Sequence, residues 1–119
     1  MSAVMIVCHE SFPTSYLLAL APTAATATTT AEMELEAHLA LACRSGKPAV
    51  WVDCRLLDTL SATAAWLLWA CQQRLHRRHA RLVLIRVPAA VERILQRTLA
   101  GTGAQLLIVP TLDDAATLA

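Results

Sequence analysis

The sequence predicts an α/β fold. It would hold a mixed, mostly parallel five-stranded sheet and about four helices, in the order β-β-α-β-α-β-α-β-α, as a single domain over residues 1–119. Three observations carry this. Short apolar runs rich in Val, Ile and Leu recur at 3–8, 16–21, 49–54, 81–87 and 105–110. From residue 31 onward these runs alternate with single helical segments, which implies right-handed crossovers and parallel pairing. A chain of 119 residues is long enough for one layered core and too short for two.

The elements follow in order. Residues 3–8 (AVMIVC) and 16–21 (YLLALA) are β-like, and the Pro13-containing stretch between them is a turn, so the pair reads as an antiparallel hairpin at the sheet edge. Residues 22–30 (PTAATATTT) read as a loop. Helix formers fill 31–45, with Met33, Leu35, Leu39, Leu41 and the intervening alanines as its apolar stripe, and Gly46 and Pro48 stop it. The continuous apolar run 49–54 (AVWVDC) is expected to be a central strand buried on both faces. A helix spans about 62–79, and the strand 81–87 ends at Pro88. The segment 89–99 is amphipathic, with Val91, Ile94, Leu95 and Leu99 along one side. A short strand, 105–110, leads to a last helix with Thr111 as N-cap and Asp113 and Asp114 in its first turn.

Composition excludes several classes. The chain is 56% apolar and 16% charged, so it is globular rather than disordered. A net charge of +1 argues for neither direct nucleic-acid binding nor an anionic membrane. The longest apolar run, about 62–71, is half a membrane span, so no membrane insertion is expected. Cys8, Cys43, Cys54 and Cys71 are widely spaced and form no C-x-x-C pair, which suggests reduced thiols and a cytoplasmic setting. The run YLLALAPTAATA resembles a signal-peptide core, but His9 and Glu10 stand where a basic leader would be.

Enzyme signatures are missing. There is no G-x-G-x-x-G, phosphate-binding loop, G-x-S-x-G or H-E-x-x-H, and three glycines are few for a backbone phosphate cradle. Asp53 and Asp58 read as a strand end and a turn rather than a catalytic pair, and the four histidines show no metal spacing. No catalytic residue, metal or cofactor is expected. The basic cluster RLHRRHAR (74–81) reads as cations favoured at a helix C-terminus, since no aromatic platform accompanies it.

The stretch AVWVDCRLLDTLSATAAWLLWACQQRL resembles the core signature of STAS domains, the sulfate-transporter and anti-sigma-antagonist family. In that signature a strand ends in Asp, and eight residues later an Asp-Ser-Ser-Gly motif, preceded by an apolar residue, opens a helix. Asp53 takes the first Asp position and Leu60 the apolar one. Ser61 stands at the second Asp, Ala62 and Thr63 at the two serines, and Ala64 at the Gly, with the eight-residue step from Asp53 kept. The strand, short helix, strand and final helix downstream of residue 80 continue the similarity, which covers roughly 15–119.

The resemblance implies a protein-binding module and not an enzyme. In anti-sigma factor antagonists the second serine is phosphorylated by a partner that is both anti-sigma factor and serine kinase, and phosphorylation releases the pair. Thr63 takes that position, with Ser61 the secondary phosphorylation candidate. A plain N-cap and first-turn hydroxyl is the other reading of these two residues. Other family members act as accessory subunits of membrane ABC transporters, such as lipid transporters, where the same helix face would meet an ATPase subunit without phosphorylation.

Helical geometry indicates where that face points. At about 100° per residue, with Trp66 at zero, Ala64, Leu67, Leu68, Cys71 and Leu75 fall on one arc that must face the sheet. Trp66 and Trp69 fall on the opposite, polar side, beside Ala62, Thr63, Ala70 and Gln73. The expected partner surface is therefore Ser61, Ala62, Thr63, Trp66, Trp69, Ala70 and Gln73, with the two Trp rings either exposed, as at binding hot spots, or folded down over the sheet rim or under a neighbouring loop. A homodimer through the same face is a further option.

Overall fold

The computed structural model describes residues 3–23, 28–103 and 106–118. One sheet runs β1 (Ala3–Ser11), β2 (Ser15–Thr23), β3 (Ala49–Asp53), β4 (Arg81–Ile85), β5 (Leu107–Val109), in that spatial order. β1 pairs antiparallel with β2, and every other pairing is parallel. The helices α1 (Thr28–Arg44), α2 (Ala62–Arg77), α3 (Ala89–Thr98) and α4 (Leu112–Thr117) complete the expected order.

Two apolar layers hold the elements. Leu18, Leu20, Val50, Val52, Leu82 and Leu84 join Leu35 and Leu39 of α1, Leu68 and Leu75 of α2, and Val91 and Leu95 of α3 in the larger cluster. The other sheet face is thinner: Val83, Ile85 and Val109 pack with Ala115 of α4, and Trp51, Leu112 and Leu118 close the edge. β4 is therefore the strand buried on both sides. β3 is central but buried on one face and only half-buried on the other, where Trp51 lies, so the expectation of burial on both faces is corrected. The reason is the short α4, which covers β4 and β5 and leaves the Trp51 side thinly screened.

The hairpin is longer than its apolar runs. His9, Glu10 and Ser11 continue β1 opposite Leu18, Leu17 and Tyr16, because an edge strand accepts polar residues. Pro22 belongs to β2 rather than to a loop, and it lies beyond the Ser15–Ala19 stretch that pairs with β3, where a missing N–H is tolerated. Of the expected loop 22–30, residues 24–27 lie outside the described residues, and α1 already begins at Thr28. Residue 105, where the last strand was expected to start, also lies outside them, as does residue 104.

The α1 stripe is corrected in the same way. Ala31, Leu35, Leu39 and Ala42 are buried, whereas Met33 is 67% and Leu41 49% exposed. The burying positions step by four and three residues, which keeps them on one side of a 3.6-residue helix, and the alanines rather than the larger Met33 and Leu41 complete it. Both α1 and α2 end in left-handed residues. Gly46 (φ 77°) follows α1 as expected. α2 stops at Arg77, two residues earlier than expected, in a Schellman turn: the His79 N–H donates to the His76 carbonyl and the Ala80 N–H to that of Leu75. His79 takes the left-handed position (φ 62°) usually given to glycine.

Two outcomes follow in urea denaturation. Leu35→Ala should cost about 2–5 kcal/mol and Met33→Ala less than about 0.5 kcal/mol. His79→Gly should stabilise the chain by about 1 kcal/mol by removing the left-handed strain of a side-chain-bearing residue.

Candidate functional site

The C-terminal end of β3 and the start of α2 form the candidate site. Asp53 closes β3, and its Oδ1 accepts a hydrogen bond from the Arg55 N–H at 3.0 Å, turning the chain off the sheet. The Cys54 N–H donates to the Ile85 carbonyl at 2.9 Å, and a tight turn returns the Leu57 N–H to the Cys54 carbonyl. Cys54, Leu57 and Leu60 are then buried in the main core. These three buried side chains anchor the segment that leads to Ser61.

Ser61 is the N-cap of α2. Its backbone is extended (φ −72°, ψ 155°), and its Oγ accepts from the Ala64 N–H at 3.1 Å. This satisfies one of the donors that every helix start leaves unpaired. No acidic side chain lies in the first turn, so the positive end of the helix dipole is not offset there by the helix's own residues. Thr63 is exposed in that first turn, as is Ala62, while Ala64 and Ala65 are buried beneath them.

The next turns extend the same face. Trp66 is 41% exposed. Its ring meets that of Trp69 edge-on, with centroids 5.8 Å apart and planes at 87°, a favourable aromatic geometry. Trp69 itself is only half-buried rather than exposed, and its indole N–H is shielded with no hydrogen-bond partner among the described residues. The expectation of two exposed rings is thus corrected for Trp69. The buried arc of α2 includes Ala65 as well as Ala64, Leu68, Cys71 and Leu75, so it is wider than the expected core stripe and reaches the edge on which Trp69 sits. Leu67, expected within the core, is only partly buried. Ala70 is exposed and Gln73 half-buried. The structure therefore brings Ala62, Thr63, Trp66 and Ala70 together as an open strip, rimmed by Trp69 and Gln73, with Ser61 acting beneath it as a cap.

Two features escaped the sequence. Arg86, just past β4, takes a left-handed backbone (φ 54°) and donates its N–H to the Val109 carbonyl. No motif marks it, and only the β4–β5 register reveals it. Cys43 and Cys71 meet between α1 and α2, with their Sγ atoms 3.2 Å apart. Their separation of 28 residues hides them from any spacing rule, although both fall on core-facing sides of their helices. Among the described residues no group of three His, Cys, Asp or Glu side chains is placed to hold a metal ion, and no helix is long and apolar enough to cross a membrane.

No protein-family model matches the sequence, and no curated protein matches it either. Solved structures do match. An anti-sigma factor antagonist from Mycobacterium paratuberculosis superimposes with a TM-score of 0.69 at 19% identity, over 97% of this chain and 92% of that one. The unphosphorylated form of the anti-sigma factor antagonist SpoIIAA gives 0.67 at 11% identity, over 96% and 94%. The chain has the STAS fold. Part of a longer chain also matches: the structure of SLC26A9 gives 0.64 at 9% identity, over 90% of this chain and 20% of that one.

Indole truncation separates the two rings of this STAS helix. Trp69→Ala should lower stability by at least about 1 kcal/mol more than Trp66→Ala, because more of its ring is withdrawn from water. Chemical denaturation of both variants measures the difference.

Proposed function

We propose that this chain is a non-catalytic anti-sigma factor antagonist of the cytoplasm. In this reading it binds an anti-sigma factor that is also a serine kinase, through Ala62, Thr63, Trp66 and Ala70 with the Trp69 and Gln73 rim. Phosphorylation of Thr63 would release the partner. The carrying observation is the exposure of Thr63 on the first turn of α2, one turn below an exposed indole and on the same face. The anti-sigma factor antagonists that share the fold support the role.

The physical chemistry is consistent. A phosphate on Thr63 would lie at the positive end of α2, beside a first turn with no acid of its own, so the helix tolerates the dianion. A partner packed over Trp66 meets the same charge as a desolvation cost. The modification would then change binding and leave folding intact. Ser61, the secondary candidate, is half-buried with its Oγ engaged as the cap, so its modification would disturb the helix start.

The test uses a purified anti-sigma factor serine kinase as the partner. Incubation with ATP should place one phosphate on Thr63 by peptide mass spectrometry. Thr63→Glu should weaken binding by roughly tenfold or more, and Thr63→Ala should retain it. Equal binding by the two variants would exclude the switch. Absence of phosphate together with co-purification of an ATPase subunit would instead favour the transporter-accessory role.

A further inference from the structure

The α1–α2 interface holds a thiol pair that the partner-binding face does not use. Cys43 lies in the last turn of α1 and is half-buried. Cys71 lies on the core side of α2, 3% exposed. Their sulfurs approach to 3.2 Å without being bonded. A disulfide needs about 2.04 Å, so a closure of about 1 Å would join them, within reach of small side-chain and helix adjustments. Metal binding does not account for the pair, since the described residues supply no third ligand.

The surroundings favour reaction at one sulfur. The Cys71 thiol hydrogen-bonds Cys43 and favours its thiolate; partial burial opposes this, and the guanidinium groups of Arg74 and Arg78 add to the lowering. The Cys43 thiol is held down at about 7 instead of 9.0. Cys71 is pushed well up, chiefly by its hydrogen bond with Cys43 and also by burial. Cys54 is raised to about 12 by burial and by the charge of Asp53, so it is an inert thiol. Arg74 and Arg78 are exposed, as is neighbouring Arg77, and give the approach to Cys43 a positive field suited to an anionic reagent.

We propose that Cys43 and Cys71 form a reversible redox dithiol, oxidised by exchange with anionic low-molecular-weight disulfides of the glutathione class, which staples α1 to α2. The Cys43 thiolate attacks one sulfur of the small disulfide. A bond from Cys43 to that sulfur forms, the original S–S bond breaks, and one thiolate leaves. Cys71 then attacks the Cys43 sulfur. The protein disulfide forms, the mixed bond breaks, and the second small thiolate leaves with the proton that Cys71 gives up. Two protein thiols are oxidised and one small disulfide is reduced to two thiols. Cys71 is freed for this second step because a capped Cys43 no longer carries the negative charge that holds the Cys71 proton.

The site is independent of the partner reading, since Cys71 lies on the core-facing side of α2, away from Trp66. The full chain, equilibrated in glutathione/glutathione-disulfide mixtures and trapped with acid and alkylating agent, tests it by non-reducing peptide mapping. The expected result is a Cys43–Cys71 cross-linked peptide pair, lighter by two hydrogens, with a melting temperature higher by roughly 10 °C because the denatured chain is constrained. Cys71→Ala should stop at a stable glutathione adduct on Cys43. Alkylation of reduced Cys43 by iodoacetamide should be half-maximal near pH 7: its folded pKa is lowered, so thiolate is gained as pH rises through about 7 and not through 9.0. A stable Cys43–glutathione adduct in the unsubstituted protein, pairing through Cys8 or Cys54, or no cross-link at any ratio would overturn the proposal. The map of the unsubstituted protein decides even where Cys71→Ala does not fold.

Discussion

Burial of a single stripe of α2 against the sheet is the constraint from which the remaining features follow. Ala64, Ala65, Leu68, Cys71 and Leu75 all lose nearly all contact with water, and they pack into the same cluster as Val50, Val52, Leu82 and Leu84. At about 25 cal/mol per Å² of apolar area, such a stripe outweighs any single surface interaction in the chain. With that face committed, the rotation of α2 about its axis is no longer free. Thr63 and Trp66 are exposed because Ala64 and Leu68 are not.

Depth and entry are set by a second group. Leu57 and Leu60 are driven into the core from the loop before α2, and Ser61 caps the first turn. The result is a helix start that is fixed in space and carries no acidic charge in its first turn. An N-terminus of this kind tolerates added negative charge, because the helix dipole favours it there. Ala64 and Ala65 are fully buried below, and Ala62 adds little bulk beside the exposed Thr63.

The same packing produces the thiol pair. α1 and α2 lie side by side on one sheet face, and each turns a core-facing cysteine toward the other. Proximity places one thiol in the other's hydrogen bond, and the exposed arginines of α2 add a field. Neither helix needs a special conformation for this. Chemistry that spacing along the chain conceals is common where two amphipathic helices share a seam, because side chains many residues apart become neighbours.

Much was legible before folding. The alternation of apolar runs and helical segments determined the order of elements, the parallel pairing and the edge hairpin, since strands of period two and helices of period 3.6 cannot exchange roles. The eight-residue step from Asp53 to Ser61 picked out the candidate site, and the α2 helical wheel placed Thr63 and Trp66 outward. What tertiary structure decided were questions of rims and neighbours. Met33 faces water although its type belongs in a core, because Ala31, Leu35, Leu39 and Ala42 already fill the seam. Trp69 sits half-buried because the buried arc of α2 widens to include Ala65, and a wheel cannot show how wide the covering layer is. Cys43 found Cys71, 28 residues further along the chain, only when their two helices came to share one face of the sheet. Periodicity is a local property of the chain and survives in the sequence. Which residue covers which is a property of the packed layers, and it exists only once they have closed on each other.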